Sequence, residues 1–134
     1  MRCTAKEKSM SGQSVSQSVL LSAYLRPILL LLGSNIFMTL AWYGHLRFKS
    51  APLWGVILAA WGIAFVEYCL AVPANRWGSA VYTPAQLKTI QEVITLVVFS
   101  AFSVLYLKQA MTLNQGIGFA LIAAGAFFIF RGPL

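Results

Sequence analysis

The sequence predicts an all-α membrane protein, a four-helix transmembrane bundle built from antiparallel helix hairpins. Three observations carry that prediction. Of 134 residues, 59% are hydrophobic and 10% charged, whereas a soluble domain carries about 25% charged residues. Four apolar stretches each reach the ~20 residues that cross a hydrocarbon core. Helix caps and breakers fall between those stretches.

The first stretch covers about residues 26–45, with no formal charge between Arg26 and Arg47. The second, about 52–72, contains Glu67, and Pro73 is expected to stop it because the residue before proline is pushed out of helical geometry. The third, about 84–107, contains Lys88 and Glu92. Ahead of it, Thr83-Pro84-Ala85-Gln86 has the capping-box pattern, with Thr83 as N-cap and Pro84 at the first helical position. The fourth, about 112–130, is uncharged. Thr112-Leu113-Asn114-Gln115 repeats the cap spacing, and Gly132-Pro133 is expected to end the helix. Connections of a few residues join stretches one to two and three to four, which makes each pair an antiparallel hairpin.

Residues 1–22 are polar and Ser/Gln-rich. They lack the 7–15-residue apolar core of a signal peptide and are expected to form a disordered tail ahead of a single domain, 23–134. Met10 is an alternative start.

The net charge of +7 does not indicate nucleic acid. A nucleic-acid binder clusters its cations on one face; here Arg2, Lys6, Lys8, Arg26, Arg47, Lys49, Arg76, Lys88, Lys108 and Arg131 are dispersed and mostly flank spans. They set topology and meet lipid headgroups. An even span number puts both termini on one side. That side holds Arg2, Lys6, Lys8, Arg26, Arg76, Lys88 and Arg131; the other holds Arg47, Lys49 and Lys108. The excess predicts cytoplasmic termini. A start at Met10 would nearly abolish it. Cys3 and Cys69 with a single histidine, His45, make no tetrahedral metal set, and no cofactor is expected.

The chain has three acids, and two of them, Glu67 and Glu92, fall inside apolar stretches. An ionisable group at membrane depth marks a functional-site candidate. Glu67 lies ~9 Å along the helix from Pro73, Glu92 ~12 Å from Pro84, and Asn35 ~13 Å from Arg26, at 1.5 Å per residue. Because helix direction alternates, the three are expected in one layer in the cytoplasmic half. Lys88, Glu92, Thr95, Phe99 and Ser103 form one helical stripe, and Asn35, Thr39 and Trp42 share a face. Burial favours the neutral form of a carboxyl, and a second carboxylate nearby favours it further. Such a group can exchange its proton for a cation, with an aromatic ring adding cation–π attraction.

A structural reading stands beside this one. Lys88 can pair with Glu92 at i, i+4, Arg76 can reach back to Glu67, and Asn35 can serve as interhelical glue. In the fourth stretch Gly116, Ala120 and Ala124 place a small residue at every fourth position, a surface for close helix packing or dimerisation. No phosphate loop, metal motif or nucleophile elbow occurs, so no enzyme is expected.

The blocks Trp61-Gly62-Ile63-Ala64-Phe65-Val66-Glu67-Tyr68, Val72-Pro73-Ala74-Asn75-Arg76 and Ile90-Gln91-Glu92-Val93-Ile94-Thr95, with Leu32-Gly33-Ser34-Asn35, resemble a small four-span bacterial family of unknown function, labelled "DMT family protein". It falls within the drug/metabolite transporter superfamily and is distantly similar to small multidrug resistance transporters. The resemblance covers about Arg26 to Arg131. It implies a four-helix bundle in the bacterial inner membrane, related to proteins that work as dimers. Those transporters carry their essential acid in the first span, where this chain has Asn35, so their mechanism does not transfer directly. A second departure is Lys108-Gln109, where related chains tend to have Gly-Glu.

The expected function is secondary transport of a small cationic or amphipathic molecule, proton-coupled through Glu92 and Glu67, with Asn35, Thr95, Thr39 and Trp42 around them. The alternative is a non-transporting scaffold or accessory subunit with structural glutamates. Expected partners are the small-molecule substrate, membrane lipid and a second copy packed through the fourth helix, with no nucleic acid.

Overall fold

A computed structural model describes residues 4–131, with side chains from residue 16 onward. Helices α1 (Thr4–Tyr43), α2 (Leu53–Gly78), α3 (Pro84–Leu105) and α4 (Leu113–Phe130) follow one another, with a 3-10 turn at Gly44–Arg47 after α1. Among the described residues, four helical stretches are long and apolar enough to cross a membrane. The predicted all-α, four-span architecture is the one observed.

Both capping boxes form. The Thr83 hydroxyl accepts from the Gln86 amide at 3.2 Å, and Gln86 Oε1 accepts from the Thr83 amide at 3.0 Å. Thr112 and Gln115 reciprocate at 3.3 and 2.9 Å. These bonds satisfy amides that a helix start leaves without partners.

Two boundaries differ from the sequence expectation. α2 runs through Pro73 to Gly78. Proline removes one bond, that to the Cys69 carbonyl, but beyond it Ala74 and Gly78 are buried, and this packing keeps the helix continuous. α1 likewise contains Pro27, fully buried, and extends back to Thr4, ahead of the boundary at residue 23. From Thr4 to Arg26 there is no proline and a single glycine, Gly12, and extending an existing helix costs far less than starting one. Residues 1–3 and Gly132-Pro133 lie outside the described residues.

α1 is the central element. α2 packs along it, α3 packs against it more sparsely, and α4 packs chiefly on α3. The buried face of α1 carries Pro27, Leu31, Ser34, Asn35, Thr39 and Ala41. That of α2 carries Glu67, Ala71, Ala74 and Gly78, at helical spacing. Leu31, Ala74 and Leu87 form the apolar core, flanked by Tyr82, Ile90 and Ile94. Gly78 makes this crossing: a Cβ there would stand 2.7 Å from Leu87 Cδ2 and 3.2 Å from Pro27 Cβ. Nearby, the Tyr82 hydroxyl donates to the Tyr24 carbonyl at 3.3 Å. Loss of water, then the Tyr24 hydroxyl, pushes its ionisation above the ordinary tyrosine value.

No residue of α4 is buried. The turn before it holds Lys108 at φ 58°, the left-handed region where glycine has no side-chain penalty.

Candidate functional site

Among the described residues, nearly half of the buried side chains are polar. Ser34, Asn35, Thr39, Glu67 and Thr89 are all enclosed. In lipid each polar group must find a partner within the protein, so the bonding of these residues defines the site.

Glu67 is 2% exposed. Its Oε1 accepts a 2.7 Å hydrogen bond from the Ser34 hydroxyl of α1. Its Oε2 is also buried and has no hydrogen-bond partner among the described residues. The small residues Ala71 and Ala74, one and two turns along the same face, bring α2 close enough to α1 for this contact.

On the next residue of α1, Asn35 Oδ1 accepts a short hydrogen bond from the Thr95 hydroxyl of α3. Asn35 Nδ2 donates to the Leu31 carbonyl at 2.8 Å, and Thr39 donates to the Asn35 carbonyl at 2.8 Å. The Thr95 hydroxyl also lies 2.8 Å from the Gln91 carbonyl. It has one proton and two acceptors, one on its own helix and one on α1. Adjacent residues of α1 therefore hold α2 on one side and α3 on the other.

Glu92 is not part of this assembly. It forms an ion pair with Lys88 at 2.5 Å, and the two side chains are 50% and 71% exposed. The stripe on α3 divides: Thr95 and Phe99 meet α1, with Phe99 packed edge-on to Tyr43 at 4.9 Å, while Lys88 and Glu92 stand clear one turn nearer the helix start. Arg76 is exposed and makes no ion pair among the described residues, and the partner of Glu67 is Ser34. Trp42 shares the helix with Asn35 and Thr39 but is 66% exposed, its indole N–H directed to Met38 Sδ. Trp61 and Tyr68 also point outward.

Ser34 is the residue that sequence reasoning missed. Its signal was present: a hydroxyl beside Asn35, one heptad from Pro27 and from Ala41 on the buried face. Among the described residues no group of His, Cys, Asp or Glu is arranged to hold a metal ion.

Residues 27–130 match the model of a family described as "Putative member of DMT superfamily (DUF486)", named DMT_6. The chain belongs to this family. The DMT_6 match opens at Pro27, the first buried residue among the described side chains of α1, and closes at Phe130, the end of α4. It therefore contains Glu67, Ser34, Asn35 and Thr95. No curated protein and no solved structure matches the chain. Four apolar spans and DMT_6 membership together make this an integral membrane protein.

Proposed function

We propose that this DMT_6 protein is a secondary transporter of a small cationic or amphipathic molecule, with Glu67 as the carboxyl that exchanges a proton for the ligand. The observation that carries this reading is the enclosed Glu67 side chain, with one oxygen bonded to Ser34 and the other without a partner. A buried orphan oxygen costs several kcal/mol in lipid. A proton, a water molecule or a cationic ligand removes that cost. When a cation takes the place of the proton, charge at membrane depth stays balanced, which is the requirement for coupled exchange. Membership in a superfamily of transporters supports the same reading.

Asn35 and Thr95 serve in this account as the joint between α1 and α3. Movement of the single Thr95 proton between Asn35 and the Gln91 carbonyl makes and breaks that joint without stranding the hydroxyl. Glu92 has a smaller part, because Lys88 already neutralises it. The uncovered α4, with Gly116, Ala120 and Ala124 at four-residue spacing, is the surface through which two copies would pack. The charge count supports cytoplasmic termini in a bacterial inner membrane.

A scaffold or accessory role is the competing reading, favoured by the self-neutralised Lys88–Glu92 pair. Proton release on addition of lipophilic cations to the purified protein separates the two. Transport predicts release from wild type and from Glu92→Gln, and none from Glu67→Gln. If no cation from a broad panel releases protons from the wild type, the scaffold reading stands.

A further inference from the structure

The end of the molecule remote from the termini carries a feature that proton exchange at Glu67 does not use. A pocket of about 410 Å³ opens between the α1–α2 and α3–α4 connections, with Arg47, Lys49 and Lys108 among its lining residues. Among the described residues no carboxylate pairs with any of these three cations. The chain's acids are Glu7, Glu67 and Glu92: Glu7 belongs to the first turns of α1, Glu67 is enclosed against Ser34, and Glu92 is paired with Lys88.

The pocket is held in shape from both sides. The Arg47 guanidinium lies over the Tyr106 ring, 5.2 Å from its centroid. Tyr106 stacks on Phe102 at 4.7 Å and donates its hydroxyl proton to the Gly44 carbonyl at 3.2 Å, tying α3 to the end of α1. Lys108 keeps a left-handed backbone at φ 58°, a conformation that disfavours any residue with a side chain. Three like charges gathered around one opening repel each other, and an anion in the pocket would relieve that repulsion.

Apolar space adjoins the charged pocket. Tyr106 also lines a cleft of about 380 Å³ between α1 and α3, walled by Ile36, Leu40, Val98 and Leu105. A further apolar cleft of about 470 Å³, between α1 and α2, shares the same tyrosine. A cationic pocket beside an apolar cleft at a span end matches a molecule with a phosphate head and a hydrocarbon tail.

We propose that this pocket binds the phosphate headgroup of an anionic phospholipid, with an acyl chain of the same lipid lying in the cleft between α1 and α3. Arg47, Lys49 and Lys108 supply the charge, and Tyr106 separates head from tail. The site is independent of Glu67, so its test stands or falls apart from the transport reading.

The test is native mass spectrometry on the full chain in a neutral detergent. The protein is titrated with phosphatidylglycerol, with phosphatidylcholine of identical chains, and with inorganic phosphate as competitor. The expected result is binding of phosphatidylglycerol about tenfold or more tighter than phosphatidylcholine, with roughly fivefold lost for each charge removed by Lys49→Gln and Lys108→Gln. Phosphatidylcholine binding should be unchanged in the double variant, which shows that the clefts are intact. Should the double variant fail to fold, Lys49→Gln alone must still give the single-charge loss. Removing two charges at the other end, Arg26→Gln with Arg131→Gln, should leave the preference in place. Equal affinity for the two lipids would overturn the proposal, as would the same loss from the remote pair. Displacement of phosphatidylglycerol by inorganic phosphate at equal concentration would also overturn it, assigning the pocket to a free anion.

Discussion

The Ser34 hydroxyl donates a 2.7 Å hydrogen bond to Glu67 Oε1, while Oε2 of the same carboxyl is buried with no partner among the described residues. This one contact joins α1 to α2 at membrane depth and leaves half of a carboxyl group unsatisfied. Replacing Ser34 by alanine would leave the whole carboxyl without a donor. Ser34→Ala is expected to lower stability by about 1–3 kcal/mol, read as a fall in the thermal midpoint of the detergent-purified protein. Glu67→Gln keeps the acceptor for Ser34 and should cost less. A Ser34→Ala protein as stable as the wild type would remove this bond from the account.

The joint between α1 and α3 rests on Thr95 and Asn35. Thr95→Val keeps the shape and deletes the proton; Thr95→Ser keeps the proton. Interhelical hydrogen bonds in membranes average about 0.6 kcal/mol and reach ~1.7, so Thr95→Val should destabilise within that range and Thr95→Ser hardly at all. A double-mutant cycle with Asn35→Leu isolates the coupling. Additive losses would mean that the two residues act separately.

Gly78 stands where α1, α2 and α3 converge, with Pro27 Cβ 3.2 Å and Leu87 Cδ2 2.7 Å from the place a Cβ would take. Leu87 can swing its tip aside, but the proline ring cannot. Gly78→Ala should therefore be tolerated at a small loss, and Gly78→Val should cost about 1–3 kcal/mol through overpacking. Equal stabilities across this series, measured by thermal unfolding, would place the three helices further apart than they are here.

Lys108 at φ 58° is the one non-glycine residue with positive φ among those described. The left-handed conformation costs a residue with a Cβ roughly 1–2 kcal/mol. Lys108→Gly is expected to raise stability by about 1 kcal/mol, and Lys108→Val, branched at Cβ, to lower it. Thermal melts of the two variants side by side decide the point, and a destabilised glycine variant would contradict it.

Much of the fold is legible in the sequence because the membrane demands long apolar runs and punctuated ends. Thr83 and Thr112 announce two helix starts, each with its glutamine three residues on, and both boxes form. Pro73 misleads because a local rule about proline competes with packing of Ala74 and Gly78 beyond it, and packing wins. Counting turns from the helix ends places Glu67, Glu92 and Asn35 at similar heights, but height says nothing about rotation. Glu67 turns inward with Ala71 and Ala74; Glu92 turns outward with Lys88. Thr95, three residues beyond Glu92, is the residue of α3 that meets Asn35. Ser34 escapes notice for a related reason: serine is common in helices, and only the crossing of α1 with α2 gives its hydroxyl a carboxyl to meet.

The central claim is that Glu67 holds a proton which a cationic ligand displaces. Infrared difference spectroscopy of the membrane-reconstituted protein, before and after addition of a lipophilic cation that releases protons, observes the carboxyl directly. The account predicts loss of a protonated-carboxyl band in the wild type and in Glu92→Gln, and no such band change in Glu67→Gln. An unaltered band change in Glu67→Gln, or its disappearance in Glu92→Gln alone, would contradict it.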